Sequence, residues 1–304
     1  MFITDAHCDT LREVGVSGKD VRECVVTPER LAAGGVGLQT FAMFAGGRGP
    51  AGTPYEDGVA MINAMDRLGV EIYTGRLPDE TPAAPKGVIS IEGGEMIKGS
   101  LEKLDEFDRA ARIRLIALTW NNENEIGHPA KNGPRGRLKP FGLELLGRMD
   151  ELGILADVSH LNEDGFWDIC ENMALPPVAS HSNARWLCDV PRNLNKDQVR
   201  AIIEKGGFIG INFYTSFLTK TGASALEDVF RHIDAICEMG GAKVLGFGSD
   251  FDGIDSWPDG LASPADFPAV IELLRSHGYS REVIADIAGL NYWNLLKKAE
   301  ARRN

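Results

Sequence analysis

The chain has 304 residues, a formal net charge of −12 at pH 7, and 43% hydrophobic and 25% charged residues. That is the composition of a soluble globular protein, long enough for one large α/β barrel or two ordinary domains. The acidic balance argues against nucleic acid or an anionic membrane as the main partner.

Five scattered cysteines, with no Cys-x-x-Cys pair, fit free thiols in a reducing compartment. A strand starting at Phe2 leaves no room for a signal peptide, and no apolar run reaches membrane length. The charged stretch Lys297–Asn304 is not a lipid-anchor tail. A cytoplasmic protein is therefore expected.

Taken in order, Phe2-Ile3-Thr4-Asp5-Ala6-His7-Cys8-Asp9 is a short strand running into a His-x-Asp. A second strand spans residues 35–44, marked by Val36, Leu38, Phe41 and Phe44 and closed by Gly46-Gly47. Thr53-Pro54-Tyr55-Glu56 is a capping box, and Met61, Ile62, Met65 and Leu68 continue its helix on one face. Gly87–Glu92 is the third strand, stopped by Gly93-Gly94. A helix over 101–111 leads to the fourth, Arg114–Trp120. Residues 121–139 form a long polar loop of the kind that carries function.

The helix holding Leu143, Leu145, Leu146 and Met149 feeds Gly153–His160, an apolar run ending on Ser-His. Asn162, Glu163 and Asp164 open a helix with Phe166, Ile169, Cys170 and Met173 on one face. Pro176–Ser182 is a second short run built around Ser-His. A strand-helix-strand unit of this length is a right-handed crossover, so the two strands lie parallel with both histidines at one edge. Asn195–Gln198 is another capping box, opening a helix that ends at Gly206-Gly207. Phe208–Tyr214 is the seventh strand, Ser224 caps the next helix, Lys243–Asp250 is the eighth strand, and helices over 264–276 and 281–298 finish the chain.

Eight short strands alternating with helices predict a (β/α)8 TIM barrel in a single domain. Chemistry in such a barrel sits at the carboxyl ends of the strands. Strand one brings His7 and Asp9 there, strand three Glu92, strand five His160, strand six His181 and strand eight Asp250. Singly, each has a plain structural explanation. Asp9 suits a strand-end cap, Glu92 could satisfy loop amides, and Asp250-Phe251-Asp252-Gly253 reads as an ordinary turn. Together they are six metal-competent residues on one rim, and mixed N/O ligation suits one or two Zn2+ or similar ions. His128, His232 and His277, in the long loop or on helices, read as surface residues. Gly246-x-Gly248 precedes an Asp instead of opening a helix, so it gives room in the barrel wall rather than a phosphate cradle.

The motifs Asp5-Ala6-His7-Cys8-Asp9, Ile91-Glu92-Gly93-Gly94, Asp157-Val158-Ser159-His160, Ser180-His181-Ser182, Pro191-Arg192-Asn193 and Gly248-Ser249-Asp250-Phe251-Asp252-Gly253 follow in an order and spacing that resemble the renal (membrane) dipeptidase family. The resemblance covers Asp5 to about Asn294. It implies a centre for two Zn2+ ions, with His7, Asp9 and Glu92 on one and Glu92 bridging to a second held by His160 and His181. It also implies Asp250 as acid/base, Arg192 as the carboxylate-binding arginine, and a small dipeptide as substrate, including one with a C-terminal D-residue.

In that family a His often follows Leu-Thr at the end of strand four. Here the position is Trp120, whose indole cannot titrate, so Trp120, Asn121 or Tyr214 becomes a candidate substrate contact. A homodimer is left open. The alternatives are an amidohydrolase acting on another carboxylated amide or lactone, and a non-catalytic metal-binding barrel, which would need no base such as Asp250. A Lys-dependent aldolase or isomerase barrel is disfavoured, because Lys86 and Lys243 sit at strand starts.

Overall fold

In the computed structural model, which describes residues 1–46, 53–131 and 135–303, the apolar runs become parallel strands. They are β1 (Ile3–Cys8), β2 (Val36–Phe44), β3 (Glu71–Ile72), β4 (Lys86–Glu92), β5 (Ile113–Ala117), β6 (Leu155–Asp157), β7 (Val178–Ala179), β8 (Phe208–Ile211) and β9 (Leu245–Phe247). Hydrogen bonding runs β2-β1-β9-β8-β7-β6-β5-β4, and β2 also pairs with β4. Eight strands thus close on themselves, with helices in the connections, as the (β/α)8 expectation required. The unpredicted β3 pairs only with Lys86 and Gly87, before β5 joins β4 at Ile89.

The strands that carry the two Ser-His pairs are shorter than their apolar runs. β6 stops at Asp157, three residues before His160, and β7 keeps only Val178 and Ala179. The cause is the Asp157 side chain. Its Oδ1 accepts from the backbone N–H of Ser159 and of Ser180, each at 2.9 Å, in place of ladder bonds.

Most helix starts fall where the caps put them. Thr53 and Glu56 form a reciprocal box at helix Pro54–Asn63, Asn162 accepts from Gly165 N, and Asn195 and Gln198 form the box for Lys196–Lys205. Three differences stand out. The helix after Thr53 ends at Asn63, and Met65 and Leu68 lie in a separate 3-10 turn. Ser224 does not cap. Its hydroxyl pairs with Thr215, and Asp228 reaches back to Ala225 N. Helices Thr10–Gly15 and Pro28–Gly34 were not anticipated, although Thr27-Pro28 at the head of the second is a cap signal. Gly47 of the expected strand stop and residues 132–134 of the long loop lie outside the described residues.

The barrel wall is tight where Gly248 was expected to make room. A Cβ there would sit 1.8 Å from the Ser180 carbonyl oxygen, and one at Gly210 would sit 2.0 Å from the same atom. No helix among the described residues is long and apolar enough to cross a membrane.

The charged C-terminal segment serves the fold. Glu300 is buried and accepts from Arg114 Nη1 at 2.6 Å, Arg112 Nη2 at 3.2 Å and Leu77 N at 2.9 Å. Burial alone would raise its carboxyl, but the Arg114 guanidinium and the Leu77 N–H hold it below the ordinary glutamate value. Removing one member of a buried pair strands the other, so Glu300→Ala should cost about 3 kcal/mol in urea unfolding at pH 7. Because the folded value is depressed, this contribution is present above the ordinary carboxylate range and fades as pH falls through the folded value. The gap to wild type should therefore narrow in acid. A loss below about 1 kcal/mol at neutral pH would show that the docked tail is marginal.

Candidate metal centre

Glu92 is the last residue of β4. It lies in register with Phe44 of β2 and Ala117 of β5, at the carboxyl rim. Beyond β2, β1 delivers His7, with Asp5 two residues earlier on the same face of the strand. Asp5 is fully buried and accepts from Ser249 N at 2.8 Å and Ser249 Oγ at 2.5 Å. The next amide, Asp250 N, donates to the His7 carbonyl at 3.1 Å. These bonds hold the ends of β1 and β9 together, with His7, Asp9 and Asp250 at the seam.

The two carboxylate oxygens of Glu92 face opposite ways. Oε2 lies 3.3 Å from His7 Nε2, whereas Oε1 lies 2.9 Å from His160 Nε2 and 3.8 Å from His181 Nε2. The Nε2 atoms of His160 and His181 are 3.1 Å apart. On the other side, His7 Nε2 is 4.0 Å from Asp9 Oδ1 and 3.8 Å from Asp250 Oδ1. All six residues predicted for the rim are therefore brought together. Five of them form two groups, His7–Glu92–His181 and His7–Asp9–Asp250, whose ligand atoms lie within 4.8 Å of one another; His160 is in neither, its Nε2 2.9 Å from Glu92 Oε1. Asp250 is thus near enough to ligate as well as to move a proton.

Unpaired atoms test the fit to cations. Among the described residues, His7 Nε2, Asp9 Oδ1 and Glu92 Oε2 are buried without a hydrogen-bond partner, and the ion-pair distances place all three in the cluster. Groups so buried are costly unless something satisfies them, and divalent ions would. The carboxylates around His7 favour positive charge at this place. Burial alone would lower His7, but the Glu92 charge outweighs it and raises the imidazole to about 10. Burial would raise Glu92, yet His7 and His160 hold it well below the usual range. Burial and the Arg192 charge lower His160 to about 4, and burial and His7 lower His181, so both stay in the neutral form that binds metal. Two divalent ions have a complete set of N and O donors here.

Neighbouring polar residues orient the ligands, among them Asn121, which was expected to contact substrate and instead bonds His160. Ser180 Oγ donates to Asp157 Oδ2, which leaves it to accept from His181 Nδ1 at 2.8 Å. Nε2 of His181 then carries the lone pair that faces the cluster. Asn121 Oδ1 does the same for His160, 3.2 Å from its Nδ1. Asn212 Nδ2 donates to Asp250 Oδ2 at 2.9 Å. Asp252 clips the loop after the first helix, accepting from Val25 N, Val26 N and Thr10 Oγ1 at 2.7, 3.1 and 2.6 Å. Only Asp157 and Ser180 offered a sequence signal, as the residues bracketing the Ser-His pairs.

Above the cluster opens a cavity of about 560 Å3 whose walls include Asp9, Glu92, Trp120, His160, Arg192, Tyr214 and Asp250. The predicted substrate contacts thus share one space with the metal ligands. Of the remaining histidines, His232 corrects the surface expectation. It is 1% exposed, and its Nδ1 accepts from Ala184 N while its Nε2 bonds the Leu218 carbonyl, which makes it a core residue. His277 stacks on Phe230 and stands clear of the site.

A closed parallel barrel with this rim defines a metal-dependent hydrolase of the amidohydrolase type. The family is narrower. The model of the membrane dipeptidases, peptidase family M19, matches residues 1–304, and the chain belongs to that family. A Klebsiella pneumoniae protein encoded in the pqqA 5′ region is 37% identical over 220 residues, 69% of this chain and 80% of its own length. A Schizosaccharomyces pombe protein described as an uncharacterized dipeptidase is 32% identical over 217 residues. That match spans 70% of this chain but only 53% of the yeast protein. Among solved structures, a Rhodobacter sphaeroides metallopeptidase liganded with a phosphinate mimic of L-Ala-D-Ala superposes with a TM-score of 0.85 at 25% identity, covering 98% of this chain and 99% of that one.

Elemental analysis of the purified protein should find close to two divalent ions per chain. Ser180→Ala should weaken one of them by about 10–100-fold, because His181 loses the partner that sets its tautomer. Unchanged affinity for both ions would remove Ser180 from the site.

Proposed function

We propose that the protein hydrolyses dipeptides with a free α-carboxylate, using two zinc or similar first-row ions. The observation that carries this reading is Arg192. It is buried on the wall of the metal-centre cavity, and its Nε has no hydrogen-bond partner among the described residues. Its Nη atoms reach Ser182 Oγ and the His181 carbonyl, each at 3.4 Å. Among the described residues it forms no ion pair with a carboxylate. A buried guanidinium with spare donors is made for an anion that arrives with the substrate.

The loop that carries Arg192 is held from several sides. Asn193 Nδ2 donates to the Cys188 and Phe217 carbonyls, both at 2.8 Å, while Arg185 donates to the Asn193 carbonyl at 2.8 Å and the Pro191 carbonyl at 3.2 Å. Phe217 lies under the guanidinium, 5.4 Å from its ring centre.

Bound divalent ions would polarise the scissile carbonyl and lower the pKa of the attacking water. The protein supplies the remaining parts. Arg192 fixes the carboxylate and so places the peptide bond over the cluster. Burial, opposed by His7 and reinforced by Glu92, lifts the Asp250 carboxyl to about 6. Asp250 accepts the proton of the attacking water and delivers it to the leaving amine, which departs as a free amino acid. Asn212 holds the other oxygen and keeps Oδ1 toward the cluster.

Trp120 stands where the family often has a histidine. Its N–H meets no acceptor among the described residues, so it can donate to the substrate but cannot shuttle a proton. The mimic bound to the Rhodobacter relative supports a substrate range that includes a C-terminal D-residue. A cytoplasmic location belongs to the same proposal and is supported by five cysteines that all stand free.

Asp250→Asn should keep its metal and lose about 10²–10⁴-fold in kcat. Near-wild-type turnover at full metal content would reassign the acid/base. For Arg192, the comparison is a dipeptide against its C-terminal amide. Wild type should strongly prefer the free acid, and Arg192→Lys should lose much of that preference, because an ammonium cannot hold both carboxylate oxygens in parallel. Equal kcat/KM for acid and amide on the wild-type enzyme would contradict the dipeptide reading.

A further inference from the structure

Arg192 follows β7, and in the closed ring β7 stands opposite β2. With the substrate carboxylate at Arg192 and the peptide bond over Glu92, the N-terminal residue continues toward the far wall, about 3.5 Å per residue of extended chain. Phe44, the last residue of β2 and the register partner of Glu92, stands on that wall, and Trp120, which follows β5, packs against it.

The two rings lie 5.0 Å apart at 56°, and both line the cavity that holds Arg192. They are fixed from behind. Gly46 passes so close that a Cβ there would fall 2.1 Å from Phe44 Cε2 and 2.8 Å from Trp120 Cδ2. The Arg12 guanidinium covers Phe44 at 5.6 Å from its ring centre. Asn121, the polar neighbour of Trp120, is committed to His160. The outcome is an apolar corner, half-buried before any substrate arrives, in the same cavity as the carboxylate clamp and with Phe44 on the strand opposite β7.

We infer that the Phe44–Trp120 corner binds the side chain of the substrate's N-terminal residue and selects large apolar side chains there. This inference rests on the dipeptide reading, which orients the substrate by its carboxylate. An aromatic wall gains from each added apolar group, and its ring faces offer a polar side chain little in exchange for its water.

The test compares Leu-Ala, Phe-Ala, Ala-Ala and Ala-Leu on wild type, Phe44→Ala, Trp120→Ala and the milder Phe44→Leu and Trp120→His, each at measured metal content. Phosphinate mimics with Leu or Ala in the first position give a binding readout without turnover. Wild type should favour Leu-Ala and Phe-Ala over Ala-Ala by about 10–200-fold in kcat/KM, the range of discrimination available to an apolar pocket. The alanine variants should bring that ratio close to one and level the affinities of the two mimics, while Phe44→Leu should keep most of the preference. The Ala-Leu to Ala-Ala ratio should stay put, since its variable side chain lies on the Arg192 side. Dipeptides cleaved with the same N-terminal preference in wild type and all variants would overturn the inference and leave the dipeptide reading standing. No cleavage of any dipeptide by the metal-loaded enzyme would overturn both.

Discussion

One buried carboxylate organises the site. Glu92 is 3% exposed and presents one oxygen to His7 and the other to His160 and His181. An ionised group in that position is very costly unless cations or strong donors meet it. The structure answers with imidazoles on both sides and leaves its Oε2 for an ion. The position itself comes from the fold, because β2 and β4 pair over seven consecutive residues that end at Phe44 and Glu92. The same long ladder therefore sets both Glu92 and the aromatic wall beside it.

Elsewhere on the rim, side chains take over from the ladder. β6 and β7 are short, and Asp157 ties their ends through the backbone of Ser159 and Ser180, while Asp5 ties β1 to Ser249. Freed from regular pairing, the backbone adopts left-handed conformations at His160, φ 69°, and Asp250, φ 66°. Residues with a Cβ hold such angles only where their surroundings over-determine them, and such positions gather at functional sites. Here they aim one ligand and the proposed proton carrier into the cavity. The buried hydroxyl and carboxylate network thus exchanges strand regularity for the aim of a few side chains.

The barrel and its rim were legible because both rest on local patterns. Short apolar runs between caps and glycines give strands, and the carboxyl ends of parallel strands must share one edge. His7, Glu92 and His181 needed no more than that. Strand lengths were less legible, since apolar runs such as 153–160 do not reveal that an Asp within them will bond the backbone instead. Two short helices after β1 were passed over, although Thr27-Pro28 signalled one of them. His232 looked like a surface residue because helical periodicity alone does not show which carbonyl waits for its ring. Asn212 and Asn121 act through contacts between distant segments, and nothing near them in sequence points to that. Phe44 read as one more apolar strand residue. Its part in the cavity appears only when β2 is set opposite β7.

The central proposal is that Glu92, which faces histidines on both sides, would serve both ions of the centre. Glu92→Gln keeps the shape and one acceptor oxygen but removes the charge shared by both sides. Metal content by elemental analysis after zinc reconstitution, with folding checked by circular dichroism, measures this directly. The account predicts a folded protein in which both ions are weakened together, with well under one retained per chain after desalting. Retention of two ions, or clean loss of just one, would contradict it.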